Sequence, residues 1–321
     1  MRVLVAGMGS AIGTNVALRL VRDEALEAIA GFDLEPPRRY IPGADFQSVS
    51  PLDSRRVHEI VQAFKPTVVV HAWVFEPRAR SSPGQARTRT LTGTEALLGA
   101  ITKLDTVEHI IVRSTASIYG RGRTSPDEPT VETEPRPTTT FGTMAAAVEE
   151  RVDEVGHAIG ATVANFRLGP VMSSNLPNPL GRFLRLPAVP TPVTSHRFGV
   201  AHLGDVVRIM SKAATMPIDG PVNVMAAGPV TPWEAVTIGR RLPIPVLPGV
   251  FRTVRNLTDI VGSPVPEHVA ELLTRGGVIE PTDTDALLGV PMRRTTRAAI
   301  EDLYATGRII DVDVARLVRS R

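Results

Sequence analysis

The sequence predicts an α/β fold in which helices cover both faces of a doubly wound parallel sheet. Two observations support this prediction. Short runs of β-branched residues alternate with stretches of helical spacing through the first 170 residues. The chain also opens on a strand, a glycine-rich turn, a helix and a second strand that ends in an acid. This order is typical of a βαβ unit that binds a dinucleotide.

The opening unit comprises a strand at 2–7, the turn GMGSAIG at 7–13, a helix and a strand at 26–33. Gly7 permits a tight turn, and Gly13 permits the helix to pack closely on the sheet. The backbone N–H groups at the start of the helix then face the pyrophosphate of the dinucleotide. The segment is therefore expected to be a Rossmann-like cofactor site.

Asp33 is the acid that decides the expected cofactor. It lies twenty residues after Gly13 and can accept hydrogen bonds from both hydroxyls of an adenosine ribose. Its charge would repel a 2′-phosphate, so NAD is expected rather than NADP. Arg38 and Arg39 follow closely and keep NADP open as an alternative, although the simpler interpretation places them in a solvated loop.

The alternation of helix and strand continues after the βαβ unit. The predicted elements are helices at 53–66, 93–104 and 138–160 and strands at 67–73, 107–120 and 161–171. Parallel sheets bind ligands beyond the carboxyl ends of their strands. The sequence places five residues at those ends, namely Gly7, Asp33, His71, Ser114 and Arg167.

The chain is expected to divide near residue 170. Residues 1–170 form the predicted dinucleotide-binding Rossmann domain. Residues 171–321 begin with a stretch dense in Pro and Ser and are expected mainly to form a smaller, substrate-covering region. Within it, residues 196–230 are expected to return to the main sheet, and an amphipathic segment at 246–262 is predicted to be a helix that faces the core.

The composition argues against several classes of function. The formal net charge is only +3 and the arginines are scattered, so nucleic acid is not an expected partner. No apolar run approaches the length of a membrane-spanning helix, and the strand at the start leaves no room for a signal peptide, so a cytoplasmic protein without membrane contact is expected. The chain has no Cys, its seven His are dispersed and no HExxH motif occurs, so no metal site is expected.

Six segments carry a resemblance to a known family. They are VAGMGSAIGTN (5–15), VVVHAW (68–73), TLTGT (90–94), RSTASIYG (113–120), FRLGPV (166–171) and HRFGVAHLGDVVRIM (196–210). Together they resemble the extended short-chain dehydrogenases/reductases of the NAD-dependent epimerase/dehydratase family. The resemblance runs nearly from end to end. It implies a fold shared with enzymes that act on nucleotide sugars.

The resemblance also implies a set of cofactor contacts. The sequence departs from the family pattern at Ser10, which replaces the middle Gly of the turn, at Trp73, which replaces a small residue, and at Thr90, which replaces an Asn. The expected cofactor-binding residues are Gly7, Gly9, Ser10, Ala11, Ile12, Gly13, Asp33, His71, Ala72, Trp73, Thr90, Ser114, Leu168, Gly169 and Pro170.

The proton relay of this family is missing. In family members a Tyr and, four residues later, a Lys move the proton while a hydride passes to or from the nicotinamide. The matching positions hold Phe141 and Ala145. The only tyrosines are Tyr40, Tyr119 and Tyr304, and none has a Lys four residues later. Loss of a positioned acid–base group costs about 10²–10⁴ in rate, so the usual mechanism is not open to this chain.

Three interpretations of the missing pair are open. In the first, the relay is rebuilt, with Thr115 and Tyr119 as the predicted catalytic residues. In the second, the chain binds the dinucleotide without Tyr-assisted hydride transfer, as a sensor, a partner subunit, a lyase or an isomerase. In the third, the cofactor site itself is lost, and Ser10 and Trp73 are signs of that loss.

A rebuilt relay needs a tuned group, because a hydroxyl of ordinary acidity is a poor base. The candidates for tuning it are Arg113, Arg123 and His71. Glu149 lies on the same predicted helix as Phe141 and is expected to be solvated.

The expected function is that of an NAD(P)-binding oxidoreductase or a sugar-epimerase/dehydratase-like enzyme with an atypical relay. The alternative is a catalytically silent NAD(P)-binding regulator or scaffold. The expected partner is a small-molecule substrate, with a nucleotide sugar as the candidate; the candidate contacts for its diphosphate are Arg182, Arg185 and Arg197. The resemblance further implies a homodimer that pairs through helices at 84–104 and 138–160.

Overall fold

The computed structural model describes residues 1–77, 82–122, 124–176, 178–251 and 265–305. In this part of the chain a parallel sheet of seven strands lies at the centre, with the order β10-β6-β5-β4-β1-β2-β3. The strands are β1 (Arg2–Ala6), β2 (Ala28–Asp33), β3 (Ala44–Ser48), β4 (Val68–His71), β5 (His109–Thr115), β6 (Thr162–Leu168), β7 (Val171–Met172), β8 (Ala188–Pro192), β9 (Ala201–His202), β10 (Gly220–Val224) and β11 (Leu242–Val246).

Helices connect and cover these strands. They are α1 (Ala11–Leu20), α2 (Ser54–Phe64), α3 (Pro83–Ile101), α4 (Thr140–Ala158), α5 (Pro179–Leu184), α6 (Leu203–Ala213), α7 (Pro232–Ile238), α8 (Glu267–Arg275), α9 (Thr284–Leu288) and α10 (Thr296–Tyr304), with a short 3-10 helix at Ala116–Tyr119 after β5. The predicted Rossmann-like doubly wound sheet is therefore confirmed.

Both faces of the sheet are buried, as expected for parallel strands. Along β1, Val3 and Val5 pack into the cluster beneath α1 and α6. Leu4 and Ala6 point the other way, into the cluster beneath α2, α3 and α4. The β-branched runs that predicted these strands thus form the two central layers of the core.

Helix α3 begins at Pro83, well before the start at residue 93 that the local pattern predicted, and next to the start at residue 84 that the family resemblance implied. Ser82 caps it, because the Ser82 side chain accepts a hydrogen bond from the N–H of Gln85 while the Gln85 side chain accepts one from the N–H of Ser82. This capping box and the proline in the first turn fix the start of the helix. The Thr-rich stretch between Pro83 and residue 93 hid the helical pattern from sequence reasoning.

The C-terminal part of the chain contributes both to the main sheet and to a separate core. Strand β10 lies inside the segment expected to return to the sheet, and it pairs with β6 so that Val222 lies opposite Phe166. A third cluster of buried residues includes Phe183, Phe198 and Phe251. This cluster positions the two-stranded pairs β8–β11 and β7–β9 next to the carboxyl ends of the central strands.

Two sequence predictions lie outside the described residues. Most of the amphipathic helix predicted at 246–262 does so, and so does Arg123. In the part of the chain that is described, no helix is both long and apolar enough to cross a membrane.

Candidate functional site

The first turn of the sheet is built around three glycines that tolerate no side chain. Gly7 has a positive φ of +90°, and a Cβ on it would lie 2.6 Å from the carbonyl carbon of Ala72. A Cβ on Gly13 would lie 2.1 Å from the carbonyl oxygen of Gly7. A Cβ on Gly9 would lie 1.9 Å from the carbonyl oxygen of Glu35. Because these glycines carry no side chain, the start of α1 can lie directly against β1, β2 and β4.

Ser10, which replaces the middle glycine, caps α1. Its hydroxyl oxygen accepts a hydrogen bond of 3.0 Å from the N–H of Gly13. Ala11 and Ile12 follow in the first helical turn, where backbone N–H groups have no intrahelical acceptor. Both residues line the main cleft. The cap therefore preserves the open helix N-terminus that an anion would need.

The cleft itself has a volume of about 690 Å³. It runs from the N-terminus of α1, across the carboxyl ends of β4, β5 and β6, to α5 and α8. Twelve of the predicted site residues line it, namely Gly9, Ser10, Ala11, Ile12, Asp33, Ala72, Trp73, Ser114, Thr115, Leu168, Gly169 and Pro170. The structure therefore brings together residues that are spread along the sequence from Gly9 to Pro170.

Five predicted site residues do not line the cleft. Gly7 and Gly13 lie beneath it, in the contacts described above. His71 is fully buried, and its Nε2 lies 2.8 Å from Oγ1 of Thr94. Thr90 is also fully buried, and its hydroxyl oxygen accepts a hydrogen bond of 2.9 Å from the N–H of Phe75. His71 and Thr90 brace the loop after β4, which corrects the prediction that they contact the cofactor.

The state of His71 follows from its surroundings. The hydroxyl of Thr94 donates to the carbonyl oxygen of Thr90, so the Nε2–H of His71 donates to Thr94. The Nδ1 atom is buried and has no hydrogen-bond partner among the described residues. Burial lowers the pKa of His71 to about 4, so the ring is neutral at neutral pH and is unsuited to tune a hydroxyl by charge.

Tyr119, the second predicted catalytic residue, is also outside the cleft. It is 1% exposed. Its hydroxyl donates to Oδ1 of Asn223 at 2.7 Å and accepts from Nη1 of Arg167 at 2.9 Å. Burial raises the pKa of Tyr119, although Arg167 opposes that rise. The proposed catalytic role of Tyr119 therefore has no geometric support, because its hydroxyl is held inside the protein.

Glu149 completes this buried network and is not solvated, contrary to the sequence expectation. Its carboxylate accepts from the hydroxyl of Ser114 and from Arg167, whose Nη2 lies 2.8 Å from Oε2. The side chains of Arg167 and Glu149 are only 8% and 5% exposed. Burial raises the pKa of Glu149, and hydrogen bonds from Arg167 oppose the rise. The pair fixes the end of β5 to α4 and β6, behind the cleft.

Asp33 and Trp73 meet at the end of the cleft next to α1. The Nε1–H of Trp73 donates to Oδ1 of Asp33 at 3.0 Å, and the N–H of Leu34 donates to the same oxygen at 2.7 Å. Burial raises the pKa of Asp33, and these hydrogen bonds oppose the rise. The backbone N–H groups of Ser10 and Gly9 also interact with the carboxylate and lower its pKa, so a ribose hydroxyl would bind beside these donors.

Of the two positions of the missing relay, Phe141 lies at the other end of the cleft and Ala145 does not line it. Phe141 is 5% exposed and lines the cleft, with its ring packed against the ring of His268 at a centroid distance of 4.6 Å. Nε2 of His268 lies 3.0 Å from Oε1 of Glu76. Ala145 packs among Ile118 and other apolar residues of the core, away from the cleft.

Several charged residues of the cleft were not predicted as site residues. Arg113 was expected only to tune a hydroxyl; its Nη1 donates to the carbonyl oxygen of Val74 at 2.6 Å, while its buried Nε has no partner among the described residues. Burial lowers the pKa of Arg113, and the charge of Glu76 opposes this. The lining also includes Glu35, Arg89, Arg121, His268 and Glu271, which were not predicted, and Arg38 and Arg182, which the sequence had suggested for NADP and for a diphosphate.

Sequence reasoning missed Glu76 and His268 because no local motif marks them. They come from the loop after β4 and from α8, with 192 positions between them. Of the three arginines suggested for a diphosphate, only Arg182 lines the cleft. Arg185 donates to the carbonyl oxygens of Ser174 and Leu303, and the exposed Arg197 donates to that of Pro229.

The sequence matches the model of one protein family. The model described as the NAD dependent epimerase/dehydratase family matches residues 3–224. The chain belongs to this family. The resemblance deduced from the six sequence segments is therefore confirmed, and the family name agrees with the predicted cofactor, NAD.

The chain is also similar to an uncharacterized mycobacterial protein and to several solved structures. The uncharacterized protein Rv0501 of Mycobacterium tuberculosis is 26% identical over 330 aligned positions, which cover 95% of this chain and 84% of that protein. The structure is similar to that of UDP-glucose 4-epimerase from Thermus thermophilus in complex with NAD, with a TM-score of 0.72, 21% identity, and coverage of 95% of this chain and 98% of that chain.

Two further solved structures have the same fold. UDP-glucuronic acid 4-epimerase from Bacillus cereus in complex with NAD matches with a TM-score of 0.71 and 14% identity over 95% of this chain and 97% of that chain. MoeE5 in complex with UDP-glucuronic acid and NAD matches with a TM-score of 0.74 and 17% identity over 95% of this chain and 98% of that chain. At these identities the likeness establishes the fold.

The family gives no reason to expect a metal, and the geometry adds none. In the described ranges, no group of three or more His, Cys, Asp or Glu side chains is arranged to hold a metal ion. The predicted homodimer and the predicted cytoplasmic location stay predictions.

Proposed function

We propose that this family member is an NAD-dependent enzyme that oxidises and reduces a carbinol carbon of a nucleotide sugar. One observation carries the proposal: a single cleft links the open N-terminus of α1 and the Asp33 carboxylate to the His268–Glu76 pair at the opposite end. The first end suits the adenosine and pyrophosphate of a dinucleotide. The second end offers ionisable groups where a substrate would react.

The residues at the first end fit NAD. A side chain at position 9 would clash with its neighbours. At this residue, therefore, only backbone atoms border the cleft next to the first turn of α1. Ala11 and Ile12 offer N–H groups at a helix N-terminus, which favours the negative pyrophosphate. Asp33 offers a carboxylate oxygen to a ribose hydroxyl and disfavours a 2′-phosphate by charge. When bound, NAD⁺ supplies an acceptor for a hydride.

The residues at the second end suit an anionic substrate. Arg121 from the segment after β5, Arg182 from α5 and Arg113 from β5 all line the cleft. Guanidinium groups bind phosphate oxygens in pairs of hydrogen bonds, so they suit the diphosphate of a nucleotide sugar. The related structures that hold UDP-glucuronic acid or belong to UDP-sugar epimerases support this class of substrate.

Thr115 is the predicted catalytic residue that does line the cleft. Its hydroxyl oxygen accepts from the N–H of Ser117 at 3.2 Å and lies 3.3 Å from the Ser117 hydroxyl. Neither neighbour is a base. Thr115 is therefore proposed to orient the substrate hydroxyl by hydrogen bonding and not to remove its proton.

Incubation with NAD⁺ and a panel of UDP- and dTDP-sugars tests the proposal. Products are separated by chromatography, and transfer of deuterium from a sugar labelled at the reacting carbon is followed by mass spectrometry. The proposal predicts either epimerised sugar that keeps the deuterium at the reacting carbon or oxidised sugar with the deuterium on the reduced cofactor. If NADH binds but no sugar is epimerised or oxidised, the proposed reaction is wrong and the silent regulator predicted as the alternative remains.

A further inference from the structure

The structure places an imidazole–carboxylate pair beside the position where the family Tyr is missing. We infer that His268 and Glu76 form the proton-transfer dyad of this enzyme, an inference that rests on the function proposed above. Both residues line the cleft. The ring of His268 lies against the ring of Phe141, at 4.6 Å between centroids and 37° between planes. His268 therefore places an ionisable group next to Phe141, whose own side chain cannot carry a proton.

Glu76 defines which nitrogen of His268 acts. The Nε2 atom lies 3.0 Å from Oε1 of Glu76, so Nε2–H is assigned as the donor to the carboxylate. The remaining ring nitrogen, Nδ1, then carries the lone pair and can accept a proton. A carboxylate in this arrangement holds the tautomer and stabilises the imidazolium that forms. The side chains of His268 and Glu76 are 8% and 27% exposed, so the pair is largely shielded from water.

The other charged groups near His268 form hydrogen bonds or ion pairs with other residues. On its own helix, Glu267 accepts from the N–H and the hydroxyl of Thr140. Glu271 accepts from the hydroxyl of Thr138 at 2.6 Å and pairs with Arg275.

Arg113, on β5, acts electrostatically on Glu76, and Arg121, in the loop after the 3-10 helix, acts on Glu271. Helix α4 presents Phe141, which carries no charge, to the His268 ring. Glu76 is thus the carboxylate that His268 contacts directly, and Arg113 is the cation that favours its ionised form.

The proposed step is balanced in atoms and charge. The hydroxyl of the substrate carbinol gives its proton to Nδ1 of His268, and the carbinol C–H gives its hydride to the cofactor. The C–O single bond becomes a carbonyl, and His268 becomes an imidazolium paired with Glu76. Return of the hydride to the carbonyl carbon takes the proton back from His268, which regenerates the neutral ring.

The other basic and hydroxyl groups near the reacting end are less suited to this step. The hydroxyl of Ser114 is held by Glu149, and Tyr119 is buried behind the cleft. His71 is fully buried on the far side of the loop after β4. Among the described histidines, His268 is the one that lines the cleft.

Three variants test the dyad: His268→Gln, Glu76→Gln and, as a matched control, His196→Gln at an exposed position outside the cleft. The inference predicts that His268→Gln lowers kcat by about 10²–10⁴ and that Glu76→Gln lowers it less, while NADH binding and the unfolding midpoint change little. Wild type and His196→Gln should share one ionisation in the pH–rate profile, and His268→Gln should lose it.

NMR provides a readout that does not depend on turnover. The ¹⁵N ring resonances of His268 report which nitrogen carries the proton, in wild type and in Glu76→Gln. The wild type should carry it on Nε2, which lies 3.0 Å from Oε1 of Glu76, and loss of the carboxylate should weaken that preference. The same tautomer preference in both proteins would overturn the coupling between the two residues.

The outcomes separate the dyad from the proposed function. If the wild type turns over a nucleotide sugar and His268→Gln does so equally well, the dyad is wrong and the proposed function stands. If the wild type binds NADH and converts no sugar, both are wrong. If His268→Gln fails to fold, Glu76→Gln and the NMR measurement decide the question.

Discussion

The indole N–H of Trp73 donates a hydrogen bond to the carboxylate of Asp33, with 3.0 Å between Nε1 and Oδ1. The indole is 1% exposed and packs edge-on against Phe32, at 5.0 Å between centroids. A Cβ on Gly93 would lie 3.0 Å from the indole, so this glycine leaves room for it. The large side chain at position 73 is therefore accommodated in the core, and its N–H contacts the acid that is proposed to select the cofactor.

Replacement of Trp73 by Phe removes this hydrogen bond while keeping an aromatic ring in the core. Loss of a hydrogen bond to a charged group costs about 1.5–3 kcal/mol, so NAD⁺ affinity should fall by roughly tenfold or more. Isothermal titration calorimetry measures the change. Trp233→Phe, at a half-exposed position outside the cleft, is the control and should bind NAD⁺ like the wild type. Equal affinity in both variants would show that the indole does not orient Asp33.

Gly13→Ala should destabilise the protein, because the new Cβ would meet the carbonyl oxygen of Gly7 at 2.1 Å. Relief of such a contact typically costs about 1–3 kcal/mol. Gly99→Ala is a matched control on α3, since a Cβ there has no neighbour within 4 Å. Alanine should stabilise that helix by roughly 0.5–1 kcal/mol. Urea unfolding of both variants checks the prediction, and a neutral Gly13→Ala would contradict the packing described at the turn.

Glu149→Gln should be strongly destabilising. The substitution leaves Arg167 buried without its ion-pair partner, and breaking a buried pair costs about 3–5 kcal/mol. Glu59→Gln removes one partner of the exposed pair between Arg56 and Glu59 and should change the free energy of unfolding by less than about 1 kcal/mol. Chemical denaturation compares the two. A small effect of Glu149→Gln would mean that the Arg167–Glu149 pair contributes little to the fold.

The stability of the protein should depend on pH through His71. Its pKa is lowered to about 4 in the folded state, against a reference value of 6.5, so the unfolded chain binds the proton more readily. The contribution of His71 is therefore complete above pH 6.5 and is lost as the pH falls towards 4. Each pH unit contributes about 1.4 kcal/mol, which amounts to ~3 kcal/mol over this window.

The variant His71→Gln isolates this effect, because glutamine does not titrate. Its free energy of unfolding should fall less steeply than that of the wild type between pH 6.5 and pH 4. His196→Gln, at an exposed position, should keep the slope of the wild type. Parallel slopes for His71→Gln and the wild type would contradict the buried, neutral state of His71.

Much of the fold was predictable because its signals are local. The β-branched runs mark β1, β4 and β5, which are buried on both faces. Strand β3 was missed because ADFQS carries no such run and lies at the edge of the sheet, where none of its residues is fully buried. An edge strand depends on pairing with its neighbour, here β2, more than on its own pattern.

The candidate site was predictable in part for the same reason. Gly9, Asp33 and Thr115 belong to contiguous motifs, and all three line the cleft. The burial of Glu149 depends on Arg167, and the position of His268 depends on Glu76. Each of these contacts joins distant segments, so no pattern in one segment reveals it.

Binding of NADH tests the central claim most directly, namely that the N-terminus of α1 and Asp33 form a dinucleotide site. The assay uses protein with Trp233→Phe, in which Trp73 is the sole tryptophan. It follows the quenching of Trp73 emission by NADH.

Ala11→Glu provides the decisive comparison, since an acid in the first turn suits the helix but repels a pyrophosphate. Ser54→Glu, at the first position of α2, is the matched control. We predict saturable quenching that NAD⁺ reverses, that Ser54→Glu retains and that Ala11→Glu loses. Absence of saturable quenching, or equal quenching in Ala11→Glu, would contradict the claim.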